Sequence, residues 1–444
     1  MTVHQFTLDL PDSAEEVFAW HARPGALRRL LPPWQPVRVG AEAADLRAGR
    51  TVLDLPLGRT WVAAHRADGY RAGERFTDRL ESRPFGVPLA WEHVHEVTPH
   101  ERGSRLTDTV TTPVPAALLR PMFGYRHRQL RDDLTAHRTW ASSPRLTVAV
   151  TGSRGLVGSA LTALLSTGGH RVLRLVRGPS TAPDQRPWDP DAPDPRALDG
   201  VDTVVHLAGE PIAGRFTPEH RQRVRDSRVG PTRRLARAAV EAGVASFVSA
   251  SAVGYYGADR GDEELDESAP PGRDFLAGVV SDWEADALEA TRGTGTRAVQ
   301  VRTGLVQSPA GGALALQRRL FQVGMGGRLG SGEQWQPWIG LDDLVDVYLR
   351  ALLDERLDGP VNAVAPHPVR QREHARALAG VLHRPALVPT PALGPRLLLG
   401  RVGAEELALA SQRVRPRRLL ELGHTFRYVD LAPALRHVFG QEPR

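Results

Sequence analysis

The 444-residue chain contains no cysteine, which excludes disulfides, thiolate catalysis and any Cys-ligated metal or cluster. It contains no lysine either: all 57 residues counted as Lys or Arg are arginine. No apolar run approaches the roughly 18 residues that suggest a membrane span. The opening MTVHQFTLDLPDSAEE has neither a basic n-region nor an apolar h-region, so the expectation is a water-soluble, cytoplasmic protein without a membrane phase. A strong charge of one sign is also missing. The net charge is only +6, the arginines are scattered among acids, and arginine raises the isoelectric point without adding charge at pH 7. With no basic stripe, nucleic acid is not an expected partner.

What is present is too long for one ordinary core, and its hydrophobic periods divide it in two. In residues 1–142 a short strand at 7–10 precedes a helix that Asp12 or Ser13 can cap. Alternating segments follow at 51–57, 60–65, 75–82, 88–97 and 104–111, separated by glycines, and then a helical pattern from 115 to about 138. This predicts an α+β domain: an antiparallel sheet with a long helix across its concave face and a cavity between them. Trp20, Trp61, Trp91, His93 and Tyr125 either line such a cavity or are ordinary core aromatics. The order of elements and the string VFAWHARPGALRRLLPPW resemble the START-like, polyketide-cyclase-like (SRPBCC) superfamily with the helix-grip fold. That resemblance implies a small-molecule domain with an apolar ligand.

After a polar break at 141–144 the period changes to short apolar strands alternating with helices, which predicts a doubly wound parallel sheet over 146–444. The string LTVAVTGSRGLVGSALTALL reads as a buried strand, a turn and an amphipathic helix. Gly152, Gly155 and Gly158 supply a tight turn, close backbone approach to a pyrophosphate and close helix-on-strand packing; Ser153, Arg154, Leu156 and Val157 complete the loop. The helix start then presents free N–H groups and a partial positive charge to phosphates. The second strand ends on Arg177, where an NAD enzyme would carry an acid for the ribose hydroxyl. A guanidinium there suits a 2′-phosphate, as does Arg154, so NADP(H) is the predicted cofactor; the alternative is that Arg177 is a solvated strand end.

The strings HLAGEPIAGRFTPEHRQRVRDSRVGPTRRL, SASAVGYYG, LGSGEQWQPWIGLDDLVDVYLRAL, GPVNAVAPHPVR and HRPALVPTPALGPRLLLG make the resemblance specific. From about 146 to 438 the chain resembles the atypical extended short-chain dehydrogenase/reductases called epimerase-family, or sugar-nucleotide-epimerase-related, proteins. A C-terminal extension typical of them starts near 385, giving a small substrate-side subdomain. The resemblance implies that Leu207, Ala208 and Gly209 lie beneath the nicotinamide side, that Ser249 and Ser251 end the next strand, and that Arg302 ends a later one and contributes to cofactor binding. Glu210, Trp338, Asp342 and Asp343 fall on the substrate side. No metal is expected.

Ordinary relatives use a tyrosine whose pKa is lowered by a lysine four residues later. Here Val279 and Trp283 stand in those positions, and no lysine exists to replace the missing one. Tyr255 or Tyr256 can supply a phenol, with Ser249 or Ser251 bonding a carbonyl, or the pair of tyrosines simply packs beside the cofactor. Asp282, Glu284 and Asp286 read as the polar face of a helix. Two functions stay open: an NADP(H)-dependent oxidoreductase or epimerase-like enzyme acting on a small carbonyl or hydroxyl substrate, and a non-catalytic NADP(H) sensor or scaffold.

Overall fold

The structure, a computed structural model, describes residues 1–441 apart from 85, 87, 88, 387, 390 and 392. The chain divides into two compact units. One comprises Met1–Ser143 with Ala163–Gly169 and the chain end from His437, and the other Pro144–Thr162 with His170–Arg436.

The first unit is for the most part an antiparallel sheet. It runs β1 (Thr2–Leu10), α1 (Ala14–Ala22), α2 (Ala26–Leu30), β2 (Arg38–Ala41), β3 (Gly49–Leu55), β4 (Arg59–His65), β5 (Arg75–Leu80), β6 (Glu92–His100), β7 (Gly103–Thr112) and α3 (Ala116–Thr139). The strand order is β1-β7-β6-β5-β4-β3-β2. Ser13 caps α1 by accepting from Glu16 N at 3.2 Å. β1 starts five residues before the expected strand. Its inward positions are His4, Phe6, Leu8 and Leu10, so the first of them is polar and breaks the apolar signal. β3 stops at Leu55 because Leu57 takes φ 63° in the turn that follows. The expected start of β6 at Pro88 lies outside the described residues.

Leu10, Val17, Trp20, Leu30, Val97, Leu106, Leu130 and Leu134 form one buried cluster that joins the three helices to β1, β6 and β7. Each such aliphatic side chain contributes roughly 1.5–3 kcal/mol by leaving water. Phe123 of α3 stacks on Phe6 of β1 with centroids 4.3 Å apart, so the long helix does lie on the sheet. Arg29 reaches from α2 to Asp133 of α3 in a buried two-bond pair of 2.7 and 2.6 Å.

The second unit is an α/β domain. Its strands and helices are β8 (Thr147–Thr151), α4 (Leu156–Thr167), β9 (Arg171–Val176), β10 (Gln185–Pro187), β11 (Thr203–His206), α5 (Pro218–Asp226), α6 (Val229–Glu241), β12 (Ser246–Ala252), β13 (Asp259–Leu265), α7 (Phe275–Thr291), β14 (Arg297–Thr303), β15 (Leu305–Gln307), α8 (Gly312–Gln322), β16 (Trp335–Gln336), β17 (Trp338–Gly340), α9 (Leu341–Leu353) and β18 (Gly359–Ala363). The main sheet is parallel throughout, in the order β10-β9-β8-β11-β12-β14-β18. This is the predicted Rossmann-type sheet, and its strand order reverses between β8 and β11. α6 and α7 pack on one face through Leu235, Ala236, Ala239 and Ala287, which meet Ala149, Val204 and Phe247. α9 packs against β12 and β14.

The chain continues through β19 (Val369–Arg370), α10 (Gln371–Leu382), α11 (Leu393–Gly403), β20 (Ser411–Val414) and α12 (Arg417–Glu421). β20 pairs in parallel with β13. Val414 thereby joins Val253, Tyr256, Leu265 and Val364 in a buried cluster beside the turn after β12. Among the described residues no helix is long and apolar enough to cross a membrane.

Candidate functional site

At the reversal point the ends of β8 and β11 approach more closely than side chains allow. Gly152 follows β8 with φ +65°, and a Cβ there would stand 2.8 Å from the Leu207 carbonyl carbon and 2.9 Å from Ala208 N. Thr151 Oγ1 ties the two ends together, accepting from Leu207 N at 3.0 Å and Ala208 N at 3.2 Å. A Cβ at Gly158 would collide with the Gly152 carbonyl, so only glycine lets α4 begin this near the turn. The first N–H groups of α4, at Leu156, Val157 and Gly158, have no intrahelical acceptor and open toward the turn. Ser153 is buried in it. These residues fit a dinucleotide pyrophosphate: a side-chain-free cradle, helix N–H donors, and a crevice at the carboxyl ends of the strands. Arg154 and Arg177 are both exposed, and neither makes a hydrogen bond or ion pair among the described residues. They are the two guanidiniums beside this turn that protein carboxylates leave available.

The serines and tyrosines after it are placed unequally. Ser249 and Ser251 share the face of β12 that meets α7. Ser251 Oγ donates to Glu284 Oε1 at 2.5 Å, and Ser249 is buried with its hydroxyl unpartnered among the described residues. Tyr256 is fully buried. Its hydroxyl donates to Asn362 Oδ1 at 2.7 Å and accepts from Arg302 Nη1 at 3.0 Å, and burial pushes its pKa up. A phenol so engaged is a structural link, which corrects its expected candidacy as a proton donor. Tyr255 is half-buried, its ring lying 3.5 Å beneath the Arg302 guanidinium.

Arg302 itself is not turned to a cofactor as the family resemblance implied. It is buried and bonded through Nε and Nη2 to Glu284 at 2.8 and 2.7 Å. The acids of α7 likewise depart from a simple polar face. Glu284 and Asp286 are buried, Asp286 paired with Arg233, while Asp282 pairs with Arg225 nearer solvent. Val279 and Trp283 are buried, so nothing at the positions of the usual dyad can relay a proton.

Gly209 and Glu210 follow β11. The Arg228 guanidinium donates to the Glu210 carbonyl at 2.9 Å and lies 5.3 Å over the Trp283 ring. Trp338 is a core residue whose indole donates to His367 O at 2.9 Å. Asp342 and Asp343 are buried in the first turn of α9. Burial, reinforced by Asp346, holds the Asp343 carboxyl well above the usual range.

The first unit holds a second candidate site, a cavity of about 620 Å³ lined by Leu53, Trp61, Trp91, Met122 and a polar end. Trp61, Trp91 and His93 line it as anticipated, whereas Trp20 lies in the core and Tyr125 packs edge-on against Trp34. The polar end was not anticipated beyond His93. Asp78, His93 and His95 come together there, each offering one ligand atom within 4.8 Å of the others. Register explains it. Asp78 of β5 stands opposite His93 of β6, and His95 two residues on faces the same side. Sequence reading predicts no metal and does not anticipate this grouping of possible ligands.

Comparison with known proteins follows this geometry. Residues 148–363 match the family described as the NAD dependent epimerase/dehydratase family, and residues 390–438 match a domain of unknown function, DUF1731. An epimerase family protein of Mycobacterium bovis is 42% identical over 291 residues, 65% of this chain and 96% of the relative. The chain belongs to the NAD dependent epimerase/dehydratase family. Among structures of this epimerase family, the nucleoside-diphosphate sugar epimerase of Corynebacterium glutamicum is 42% identical with a TM-score of 0.86, covering 99% of this chain and 90% of that one. Human epimerase family protein SDR39U1, crystallised with NADPH, is 34% identical with a TM-score of 0.61, covering 66% of this chain and 99% of that one. Both family matches fall within 148–438, so the START-like resemblance of the N-terminal unit has to be argued on its own geometry.

Proposed function

We propose that this epimerase-family chain binds NADP(H) at the turn after β8 and acts as an oxidoreductase or epimerase-like enzyme on a small carbonyl or hydroxyl compound. The observation that carries the reading is the pair Arg177 and Arg154, exposed beside a glycine turn and unclaimed by protein carboxylates. A 2′-phosphate supplies the anion that such guanidiniums lack. The NADPH held by the human relative supports the same choice. The cofactor, once bound, supplies a hydride donor or acceptor. The turn orients the pyrophosphate, the Leu207–Gly209 backbone underlies the nicotinamide side, and Tyr255 is the phenol left to move a proton. Glu210, Trp338 and Asp342 shape the substrate side. Titration of the full chain with NADPH and NADH tests the cofactor assignment: NADPH should bind at least tenfold more tightly, and equal affinities would overturn it.

A second reading is favoured by a specific observation. The buried Arg302–Glu284 pair and the engaged Tyr256 hydroxyl tie up polar groups near the turn after β12 in structural bonds, which suits a non-catalytic NADP(H) sensor. NADPH consumption with any member of a carbonyl panel would eliminate that reading.

For the first unit, the reading is a START-like helix-grip domain that takes an apolar small molecule. Its support is the long helix α3 on an antiparallel sheet and the cavity lined by Leu53, Trp61, Trp91 and Met122. A fluorescent apolar probe displaced by candidate ligands, and released by Trp61→Arg, is its test.

A further inference from the structure

We propose that Asp78, His93 and His95 form a binding site for one divalent first-row transition-metal ion at the polar end of the N-terminal cavity. The inference is independent of the nucleotide site, since every residue it uses lies in the first unit.

The two imidazoles are oriented from behind by one carboxylate. His93 Nε2 lies 3.0 Å from Asp108 Oδ1 and His95 Nδ1 lies 2.8 Å from the same oxygen. The other oxygen, Oδ2, is 2.8 Å from His127 Nε2. An ionised carboxylate only accepts hydrogen bonds, so His93 places its Nε2–H toward Asp108 and its lone pair on Nδ1, while His95 Nδ1 lies beside the same oxygen without a hydrogen bond to it, its Nε2 on the opposite side of the ring. Those opposite nitrogens are His93 Nδ1 and His95 Nε2, and both face Asp78 Oδ2, at 3.7 and 3.8 Å. These separations are too long for hydrogen bonds. Three ligand atoms, a carboxylate oxygen and two ring nitrogens, thus gather within 4.8 Å of one another without hydrogen-bonding each other.

A cation resolves that arrangement. Two ligand atoms each about 2.1 Å from a tetrahedral ion lie about 3.4 Å apart; Asp78 stands 3.7 and 3.8 Å from the two imidazoles and all three ligand atoms lie within 4.8 Å, so side-chain rotations must draw them in around the ion. Two imidazoles and a carboxylate, each imidazole backed by a second carboxylate, are a donor set suited to zinc, iron or cobalt rather than calcium or magnesium. His65, opposite Asp78 in β4, also lines the cavity and has a buried Nδ1 without a hydrogen-bond partner among the described residues. The remaining positions of the ion would open into the cavity, where an oxygen of an otherwise apolar ligand can reach it. Arg126 lines this cavity together with Arg23 and Arg59, and its guanidinium lies 5.5 Å over the Phe123 ring.

The test uses the full chain, stripped with a chelator and titrated with Co²⁺. The expected result is one Co²⁺ per chain with visible d–d absorption, displaced by one equivalent of Zn²⁺. Asp78→Asn and His93→Ala should abolish the band, Asp108→Asn should weaken binding about 10- to 100-fold, and exposed His100→Ala should leave it unchanged. Cooperative thermal unfolding of each metal-free variant checks that it is folded, and Asp78→Asn keeps the side-chain shape if His93→Ala does not fold. Sub-stoichiometric binding, or a band unaltered in both Asp78→Asn and His93→Ala, means an adventitious ion only and overturns the proposal.

Discussion

Arg302 grips Glu284 through two bonds, Nε to Oε1 at 2.8 Å and Nη2 to Oε2 at 2.7 Å, and both side chains are almost wholly out of water. This pair links β14 to α7 directly behind the turn that carries the two tyrosines. Removing one partner strands the other's charge. Glu284→Ala should therefore destabilise the second unit by about 3–5 kcal/mol. Replacing both residues with leucine should recover much of that loss. Urea unfolding of the single and double variants measures both; equal loss in the two would show that the leucines cannot fill the space.

Adjacent Tyr255 and Tyr256 should separate cleanly. Tyr256→Phe leaves Asn362 Oδ1 without its donor and Arg302 Nη1 with only the long 3.5 Å bond to the Glu267 carbonyl, which costs about 1–3 kcal/mol of stability. Tyr255→Phe should unfold like the wild type yet lose any turnover found with a carbonyl panel. If turnover survives Tyr255→Phe, the proton comes from elsewhere.

Arg177→Ala should weaken NADPH binding about ten- to a hundredfold, equivalent to roughly 1.5–3 kcal/mol for a charge-assisted phosphate contact, and leave NADH binding unchanged. Isothermal titration of both nucleotides reads the difference. A parallel loss for NADH would mean the loop, not the phosphate contact, had changed.

Gly158→Ala should displace the start of α4, because the new methyl meets the Gly152 carbonyl, a backbone atom with no rotamer to change. The overpacking costs about 1–3 kcal/mol. A lower Tm together with loss of nucleotide binding is the expected pair of results, and retained binding would show that the loop adjusts.

Much of this architecture was legible because its constraints are local. The glycines at 152, 155 and 158 stand in one turn, and Arg177 sits one step past a strand whose length the apolar run sets. The rest depends on partners far apart in sequence. Glu284 looks like a solvated helix residue until α7 docks on the sheet and meets Arg302 of β14. Tyr255 and Tyr256 are equivalent as letters; only the turn decides which ring is covered. Asp78, His93 and His95 sit on two strands joined by a loop, and their convergence follows from antiparallel register, which no hydrophobic period reports. The first half of β1 carries no apolar alternation because inward-facing His4 is polar.

Acid should unfold the second unit early. Burial pushes His206 and His374 down to about 4, and His424 to about 3. Arg228 adds to the effect at His206, whose Nδ1 pairs with Thr151 Oγ1 at 2.8 Å. In the unfolded chain these rings protonate near 6.5. Stability is therefore full above that pH and is lost as pH falls toward 4, since the unfolded state takes up the protons first. For His206 the loss by pH 5 is about 2 kcal/mol. His206→Asn should be less stable at pH 7.5 but flatter between pH 7 and 5 in urea unfolding; curves parallel to the wild type would remove His206 from the account.

The pairing of β20 with β13 has a consequence in time as well as in space. Gln412 Nε2 donates to the Gly257 carbonyl across 155 positions, and Ser411 N donates to Ala258 O at 2.7 Å. On a ribosome adding roughly 5–20 residues per second, the stretch after Tyr256 is made on the order of ten seconds or more before its partner exists. Until then Val253, Tyr256 and Leu265 lack the cover that Val414 gives them. The nascent chain thus completes the glycine turn after β8 well before the cluster around Tyr256 can be covered, so that part of the core closes only after β20 has emerged.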